Sequence, residues 1–227
     1  MLKTIGNLLF GGSCFLCRGK AEGLLCGSCD ADLPRAKRDL CPRCALESPA
    51  GAVCGRCLAH PPHYDATVAA LAYRFPADVL VQALKFRGQL ALAPFLGDLL
   101  SKCISSNDVD YVVPVPLSPE RLRSRGYTQA LEIARHVAHP AGGRLAPELC
   151  ERTRDTPAQT DLPLAERAKN VRGAFHCPRL LAGARVAVLD DVMTTAATLD
   201  EMAVTLKRAG AAHVVNWVVA RTFPTHV

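Results

Sequence analysis

Short apolar runs alternate with longer amphipathic segments over most of the chain. The runs are typical of strands buried on both faces, and the segments between them have helical spacing. Alternating strands and helices predict an α/β fold, a parallel sheet with flanking crossover helices. The expected strands are residues 67–73, 111–116, 186–189 and 213–220, and the expected helices are residues 78–103 (one or two, with Pro94 beginning the second half), 127–139 and 197–209.

The first sixty residues follow a different pattern. They are rich in Cys, Gly and Arg and show no sustained apolar period, so a hydrophobic core is not expected to hold them together. Pro61 and Pro62 then exclude a helix and predict a stiff linker. We therefore predict a small module at residues 1–60 and an α/β domain at residues 61–227.

Eight of the eleven cysteines form four Cys-x-x-Cys pairs in the N-terminal module. Such a pair can place two thiolates on one metal, and four thiolates are the set that tetrahedral Zn²⁺ prefers. A closed set leaves no position for water, so we predict two structural zinc ions. An iron–sulfur cluster, a crossed pairing and a single filled site remain alternatives. The predicted sets are Cys14, Cys17, Cys26 and Cys29, and Cys41, Cys44, Cys54 and Cys57.

Charge and hydropathy add little to this picture. The formal charge of +6 and the pI near 8.8 favour anionic ligands, either phosphates or nucleic acid. The apolar stretch at residues 1–10 is too short for a signal-peptide core or a membrane span. We expect a folded cytoplasmic protein without membrane insertion. We also expect metal removal to unfold residues 1–58 and to leave a ligand site in the second part able to bind.

One segment carries recognisable ligand chemistry. The apolar run at residues 186–189 is followed by Asp190-Asp191-Val192-Met193-Thr194-Thr195-Ala196-Ala197-Thr198 and a helix. Open α/β sheets bind ligands at the carboxyl ends of strands. Adjacent carboxylates there can accept hydrogen bonds from a vicinal diol or hold a Mg²⁺ that bridges diol and diphosphate. The hydroxyls and amides of residues 194–198 can surround a phosphate, although acids and threonines can also simply begin a helix.

Basic residues supply candidates for binding a diphosphate. Arg121, Arg123 and Arg125 lie between a predicted strand and a predicted helix, which places them near the same crevice. Arg125 is the first candidate, because a guanidinium group binds phosphate oxygens in a bidentate manner. Lys85 and Arg87, at a break in the long helical region, are the second. Residues 152–172 contain few large apolar side chains and predict a loop and short helix that could close over the site.

These motifs resemble the signature of type I phosphoribosyltransferases and, more narrowly, the competence protein F family. The likeness covers nearly the whole chain and includes residues 14–57, 84–88, 113–117, 125–129, 156–160, 167–175 and 190–198. It implies a type I phosphoribosyltransferase-like domain behind a double zinc ribbon. It further implies that Asp190 and Asp191 face the ribose hydroxyls. The 5-phosphate of phosphoribosyl diphosphate would be held by Thr194, Thr195, Ala196, Ala197 and Thr198.

The chain departs from this family at Ala196, where the family usually has glycine. If the position needs a positive φ, alanine costs about 1 kcal/mol or more. If the glycine serves close approach of the ligand, the added methyl group crowds a phosphate oxygen. In ordinary helical geometry the alanine is harmless.

Two functions follow from the resemblance. The first is an enzyme that displaces diphosphate from phosphoribosyl diphosphate, with Mg²⁺, Arg and Lys stabilising the charge; the sequence shows no pocket for the accepting base. The second is a non-catalytic factor that acts on single-stranded DNA with the DNA-uptake machinery during natural transformation and retains the site as a sensor or vestige. Aromatic residues make up only 5% of the chain, so DNA contacts are expected to be electrostatic and salt-sensitive.

Overall fold

The computed structural model describes residues 12–37, 39–105, 108–138, 141–154 and 167–223. The motif at residues 156–160 and part of the predicted closing segment lie outside the described residues. The strands are β1 (Ala66–Ala72), β2 (Tyr111–Pro114), β3 (Arg144–Leu145), β4 (Glu151–Arg152), β5 (Phe175–His176), β6 (Arg185–Met193) and β7 (His213–Arg221). Five of them form a parallel sheet in the order β1-β7-β6-β2-β3, and β4 pairs antiparallel with β5.

The helices flank this sheet and also occur in the N-terminal module. They are α1 (Gly27–Ala31), α2 (Gly55–Ala59), α3 (Ala77–Arg87), α4 (Leu92–Ser101), α5 (Pro119–Arg125), α6 (Gln129–Val137), α7 (Arg167–Val171) and α8 (Ala197–Arg208). Within the described ranges no helix is long and apolar enough to cross a membrane. The α/β fold class predicted from the sequence is confirmed.

The predicted elements differ from the observed ones in several places, and the short strands β3, β4 and β5 were not predicted. The long helical stretch is two helices, one of the two possibilities allowed, because Gly88 ends α3 in a left-handed conformation with φ 63°; the second helix begins at Leu92 rather than at Pro94. Helix α5 was not predicted, since it buries no residue and therefore shows no apolar period. The strand expected at residues 186–189 continues through both aspartates to Met193, which pairs with Arg221 of β7.

The core lies on both faces of the central strands. Residues 186–189 of β6 are fully buried. The chain crosses from β2 to β3 in one direction along the sheet and from β6 to β7 in the other. Because such crossovers are right-handed, α6 and α8 cover opposite faces. The order of strands therefore reverses between β2 and β6, and this is the place where open α/β sheets bind their ligands.

The N-terminal module covers the edge of the sheet at β1. The amide of Ala36 donates to the carbonyl of Ala70 at 2.9 Å, and the amide of Ala72 donates to Pro34 at 2.7 Å. The amide of Thr67 donates to the carbonyl of Pro42 at 2.9 Å. These bonds satisfy backbone groups that an open edge strand would expose. The division at residue 60 stays a prediction, because the contacts make the two parts neighbours without defining their boundary.

Candidate functional site: the crevice at the carboxyl ends of β2 and β6

A crevice with a volume of about 250 Å³ opens where the strand order reverses. Its walls come from residues 115–117 after β2, from α5, from the end of α3 and from residues 190–199 of β6 and α8. The structure brings together most of the ligand-binding candidates that the sequence predicted, but Arg87 and Arg123 are not among the residues that line the crevice. The lining includes Lys85, Arg125, Asp190, Asp191, Thr194, Thr195, Ala196, Ala197 and Thr198.

Two adjacent carboxylates and one ammonium group form the floor of the crevice. Lys85 Nζ lies 3.3 Å from Asp191 Oδ2, and Asp191 is 3% exposed. The amide of Asp191 donates to Asp190 Oδ1 at 2.8 Å, which fixes the first carboxylate against the backbone. Apart from the ion pair with Lys85, Asp191 Oδ2 accepts no hydrogen bond from the described residues. A buried carboxylate oxygen without a hydrogen-bond donor fits a Mg²⁺ ligand, because this ion prefers oxygen ligands.

The two carboxyl groups differ in their electrostatics. Burial and the charge of Asp191 raise the pKa of Asp190 well above its usual range. Burial also acts to raise the pKa of Asp191, but the ammonium group of Lys85 outweighs it and lowers that pKa. The same contact raises the pKa of Lys85. Lys85 therefore favours the ionised form of Asp191, whereas ionisation of Asp190 is disfavoured.

The backbone conformation of the turn between β6 and α8 shows whether position 196 needs a positive φ. Ala196 precedes α8 with φ 72° and ψ 1°, a left-handed conformation, and is buried. Thr195 Oγ1 accepts a bond of 3.4 Å from the amide of Ala197, and the carbonyl of Ala196 accepts the first helical bond from Asp200 at 2.8 Å. The position is thus one that favours glycine, and alanine here carries backbone strain.

Arg221, at the end of β7, supports this turn from the side of the N-terminal module. The side chain is 1% exposed, and its hydrogen bonds all go to backbone carbonyls. Its Nε donates to the carbonyl of Cys44 at 2.9 Å. Its Nη1 donates to Met193 at 2.8 Å, to Thr222 at 2.9 Å and to Thr194. One buried guanidinium group therefore joins a cysteine turn of the module to the turn that lines the crevice.

This contact also orients the amides of the turn. In a trans peptide the N–H points opposite to the C=O of the same unit. The carbonyls of Met193 and Thr194 point toward Arg221, so the amides of Thr194 and Thr195 point away from it. Both threonines line the crevice. Arg221 was not predicted from the sequence, although an arginine at the end of an otherwise apolar strand was a signal that could have found it.

The basic side of the crevice is held by polar contacts between elements. Arg125 Nη1 donates to Gln129 Oε1 at 2.6 Å, and this bond links the end of α5 to the start of α6. The hydroxyl of Tyr127, between these helices, donates to the carbonyl of Leu84 in α3. Arg152, a buried residue that was not predicted from the sequence, also lines the crevice. The basic wall is therefore tied to the helix that carries Lys85.

The eight cysteines predicted as metal ligands form two clusters. In each cluster the four sulfur atoms lie within 4.8 Å of one another, and the members are the two sets that follow chain order. The sequential pairing is confirmed, and the crossed pairing is wrong. The two clusters repeat the same turn, with the amide of Cys14 bonded to Gly19 and that of Cys41 bonded to Leu46, both at 2.7 Å. Four thiolates at this spacing fit tetrahedral Zn²⁺ in a structural role.

Comparison with known proteins agrees with these observations. A family model described as a double zinc ribbon domain matches residues 5–58. DNA utilization protein YhgH of Salmonella typhi is 34% identical over 224 residues, which cover 93% of this chain and 97% of that protein. The chain belongs to the YhgH family. Competence protein F of Haemophilus influenzae is 28% identical, with 92% and 96% of the two chains covered, and the resemblance to its family is confirmed.

A solved structure shows a weaker likeness. The purine phosphoribosyltransferase from Pyrococcus horikoshii is 14% identical, with a TM-score of 0.30, and the match covers 71% of this chain and 94% of that one. A TM-score this low supports no statement about activity.

Proposed function

We propose that this chain binds phosphoribosyl diphosphate with Mg²⁺ in the crevice and acts in the uptake or use of DNA. The observation that carries the ligand is the cluster of Asp190, Asp191 and Lys85 beside the turn that begins α8. The connection to DNA rests on the family, whose members are named for DNA utilization and competence. The net charge of +6 favours both anionic ligands.

Each part of the ligand has a matching group in the crevice. The carboxylates of Asp190 and Asp191 accept hydrogen bonds from the ribose diol or hold the Mg²⁺. The amides of residues 194–198 at the start of α8 receive the 5-phosphate, since a helix N-terminus attracts anions. Arg125 lies across the crevice and suits the diphosphate, because its guanidinium group binds two oxygens at once. Mg²⁺, when bound, neutralises part of the diphosphate charge.

With an acceptor present, these groups support phosphoribosyl transfer. The bond between ribose C1 and the diphosphate breaks, a bond from C1 to the acceptor forms, and the acceptor loses a proton. The positive charge that develops on the ribose is stabilised by the nearby carboxylates, and Lys85 and Arg125 hold the leaving diphosphate. No covalent nucleophile is needed for this reaction.

Calorimetric titration of the zinc-loaded protein tests the ligand assignment. Phosphoribosyl diphosphate with Mg²⁺ is expected to bind in the micromolar range. Ribose 5-phosphate, which lacks the diphosphate, is expected to bind more weakly. Absence of binding by phosphoribosyl diphosphate would contradict the proposal. If phosphoribosyl diphosphate binds, release of diphosphate on addition of nucleobases would identify the protein as a transferase.

A second candidate is a non-catalytic factor that binds single-stranded DNA and keeps the crevice as a sensor. The observation in its favour is Ala196, which strains the phosphate turn where the family usually has glycine. This candidate predicts ligand binding without diphosphate release. It also predicts oligonucleotide binding that weakens steeply with salt, because the contacts are with phosphates. Fluorescence anisotropy at several salt concentrations measures this dependence.

A further inference from the structure

One wall of the crevice is an exposed aromatic ring that has no part in the proposed binding of phosphoribosyl diphosphate. Phe86 is the second-last residue of α3, lines the crevice and is 63% exposed. Helix α3 packs on the core through Leu80, Val81 and Leu84, and this packing leaves Phe86 outside. A single exposed apolar residue is common on protein surfaces. Phe86 differs from such a residue because it faces the crevice between two cations.

The surroundings of the ring are positively charged. Lys85 Nζ lies 5.9 Å from the centre of the Phe86 ring, and the guanidinium carbon of Arg125 lies 5.7 Å from it. Both distances are near the outer limit of cation–π contacts. At these distances the two cations lie over the ring without covering it, and 63% of the Phe86 side chain stays accessible. A flat apolar surface between cations is complementary to a flat aromatic ligand that carries phosphate or lies next to one.

The ring is also held in a defined place. Gly88 ends α3 immediately after Arg87, and the hydroxyl of Tyr127 anchors the last turn through the carbonyl of Leu84. The neighbouring residue, Lys85, contacts Asp191 on the floor of the crevice. Phe86 is therefore fixed on a helix, one residue away from the ion pair proposed to bind the ribose. Binding groups on rigid elements lose less freedom when a ligand arrives.

We propose that Phe86 is a stacking platform for a nucleobase. The inference rests on the proposed function, because it places the base beside the phosphoribosyl site and gives the acceptor a chemical class. The base is either a free acceptor or part of single-stranded DNA, and both present the same aromatic face. Phe86 stacks on that face, and Lys85 and Arg125 attract the phosphates next to it.

The experiment uses the full-length, zinc-loaded protein and three variants. Phe86→Ala removes the ring, Phe86→Tyr keeps it, and Phe75→Ala removes a ring that is 76% exposed but does not line the crevice. Each protein is titrated with phosphoribosyl diphosphate and Mg²⁺, then with free nucleobases and with a labelled oligothymidine. Phe86→Ala is expected to weaken base or strand binding by about 5- to 150-fold. Phe86→Tyr and Phe75→Ala are expected to bind as the unmodified protein does.

The outcomes separate this inference from the function on which it rests. Failure of the unmodified protein to bind phosphoribosyl diphosphate contradicts the proposed function. Normal phosphoribosyl diphosphate binding combined with unchanged base and strand affinities in Phe86→Ala overturns the platform alone. An equal loss in Phe75→Ala also overturns it. A loss confined to free bases or to the oligonucleotide supports the platform and identifies which source of the base it serves.

Discussion

At the scale of single residues, the asymmetry of the two aspartates connects stability with ligand binding. Asp191 is stabilised as a carboxylate by Lys85, whereas Asp190 is half-buried beside a like charge. The ligand-free protein therefore tolerates Asp190 at a cost. Groups of this kind are typical of sites at which a bound cation relieves the repulsion.

Replacing each aspartate by asparagine is expected to have opposite effects on stability. Asp190→Asn removes a group whose ionisation the neighbouring Asp191 disfavours, and it raises the melting temperature. Asp191→Asn leaves Lys85 without its partner and costs about 1–3 kcal/mol, less than a fully buried pair because the lysine is 25% exposed. Both variants lose about tenfold or more in affinity for phosphoribosyl diphosphate, because each removes a charged hydrogen-bond acceptor. Thermal denaturation measures the change in stability, and calorimetry measures the change in affinity. If both variants shifted the melting temperature in the same direction, the different electrostatics assigned to Asp190 and Asp191 would be wrong.

The raised pKa of Asp190 predicts a proton released on ligand binding. Below that pKa Asp190 is protonated, and the ligand with Mg²⁺ requires the carboxylate, so affinity rises with pH until the pKa is passed. The stability of the ligand-free protein, in contrast, decreases as the pH rises. Above the ordinary aspartate range the folded state holds a proton that the unfolded state has lost, so stability falls as pH rises through the raised pKa. Calorimetry in buffers of different ionisation enthalpy counts the released proton, which Asp190→Asn should abolish.

Ala196→Gly is expected to improve the turn. The residue has φ 72°, so glycine removes strain, partly offset by the greater freedom of glycine in the unfolded chain. The net gain is up to about 1 kcal/mol, and affinity for phosphoribosyl diphosphate should not decrease. The control is Ala197→Gly, at the first residue of α8, where glycine is expected to destabilise. A loss of stability with Ala196→Gly would show that the methyl group contributes packing that outweighs the strain.

At the scale of elements, β7 holds the turn between β6 and α8 through Arg221. Arg221→Lys is expected to lower both the melting temperature and the ligand affinity. A single ammonium group cannot donate hydrogen bonds to the four carbonyls that the planar guanidinium group contacts. The loss of stability should exceed about 1 kcal/mol, since buried carbonyls are left without donors. Arg185→Lys is the control, because that side chain is 44% exposed and pairs with Asp108 at the surface. If Arg221→Lys loses stability but keeps full affinity, the turn does not depend on this contact.

At the scale of the whole molecule, the zinc ribbon and the sheet are connected. The second cysteine cluster contains Cys44, whose carbonyl accepts the bond from Arg221. Within the part of the chain that the structure describes, the first cluster has no such bond to the crevice. Cys54→Ser is therefore expected to weaken ligand binding more than Cys17→Ser, although both reduce zinc content. Zinc analysis and calorimetry on both variants check this order. Equal losses of affinity would contradict it, and unchanged affinity in both variants would show that the ribbon and the crevice are independent.

The connection changes one expectation that the sequence alone supported. Two compositionally distinct parts suggested that metal removal leaves the ligand site able to bind. The hydrogen bonds of Ala36, Thr67 and Arg221 cross between the ribbon and the sheet, and they predict partial loss of binding instead. The sequence could not show them, because all three bonds go to backbone carbonyls. Every residue has a backbone carbonyl, so neither the composition nor the spacing of residues indicates which carbonyl accepts a hydrogen bond.

Local patterns in the sequence predicted the fold class, favoured the sequential sets of cysteines and marked the turn between β6 and α8 as a ligand site. These features depend on residues close together in the chain: the period of apolar residues, the spacing of metal ligands and the small polar residues that begin a helix. Helix α5 lacked such a pattern, and the extension of β6 to Met193 arises from pairing with β7. Only the tertiary structure decided that Phe86 faces the crevice, that Ala196 is left-handed and that Arg221 supports the turn. Each of these depends on residues distant in the chain, which approach one another only when the sheet has formed.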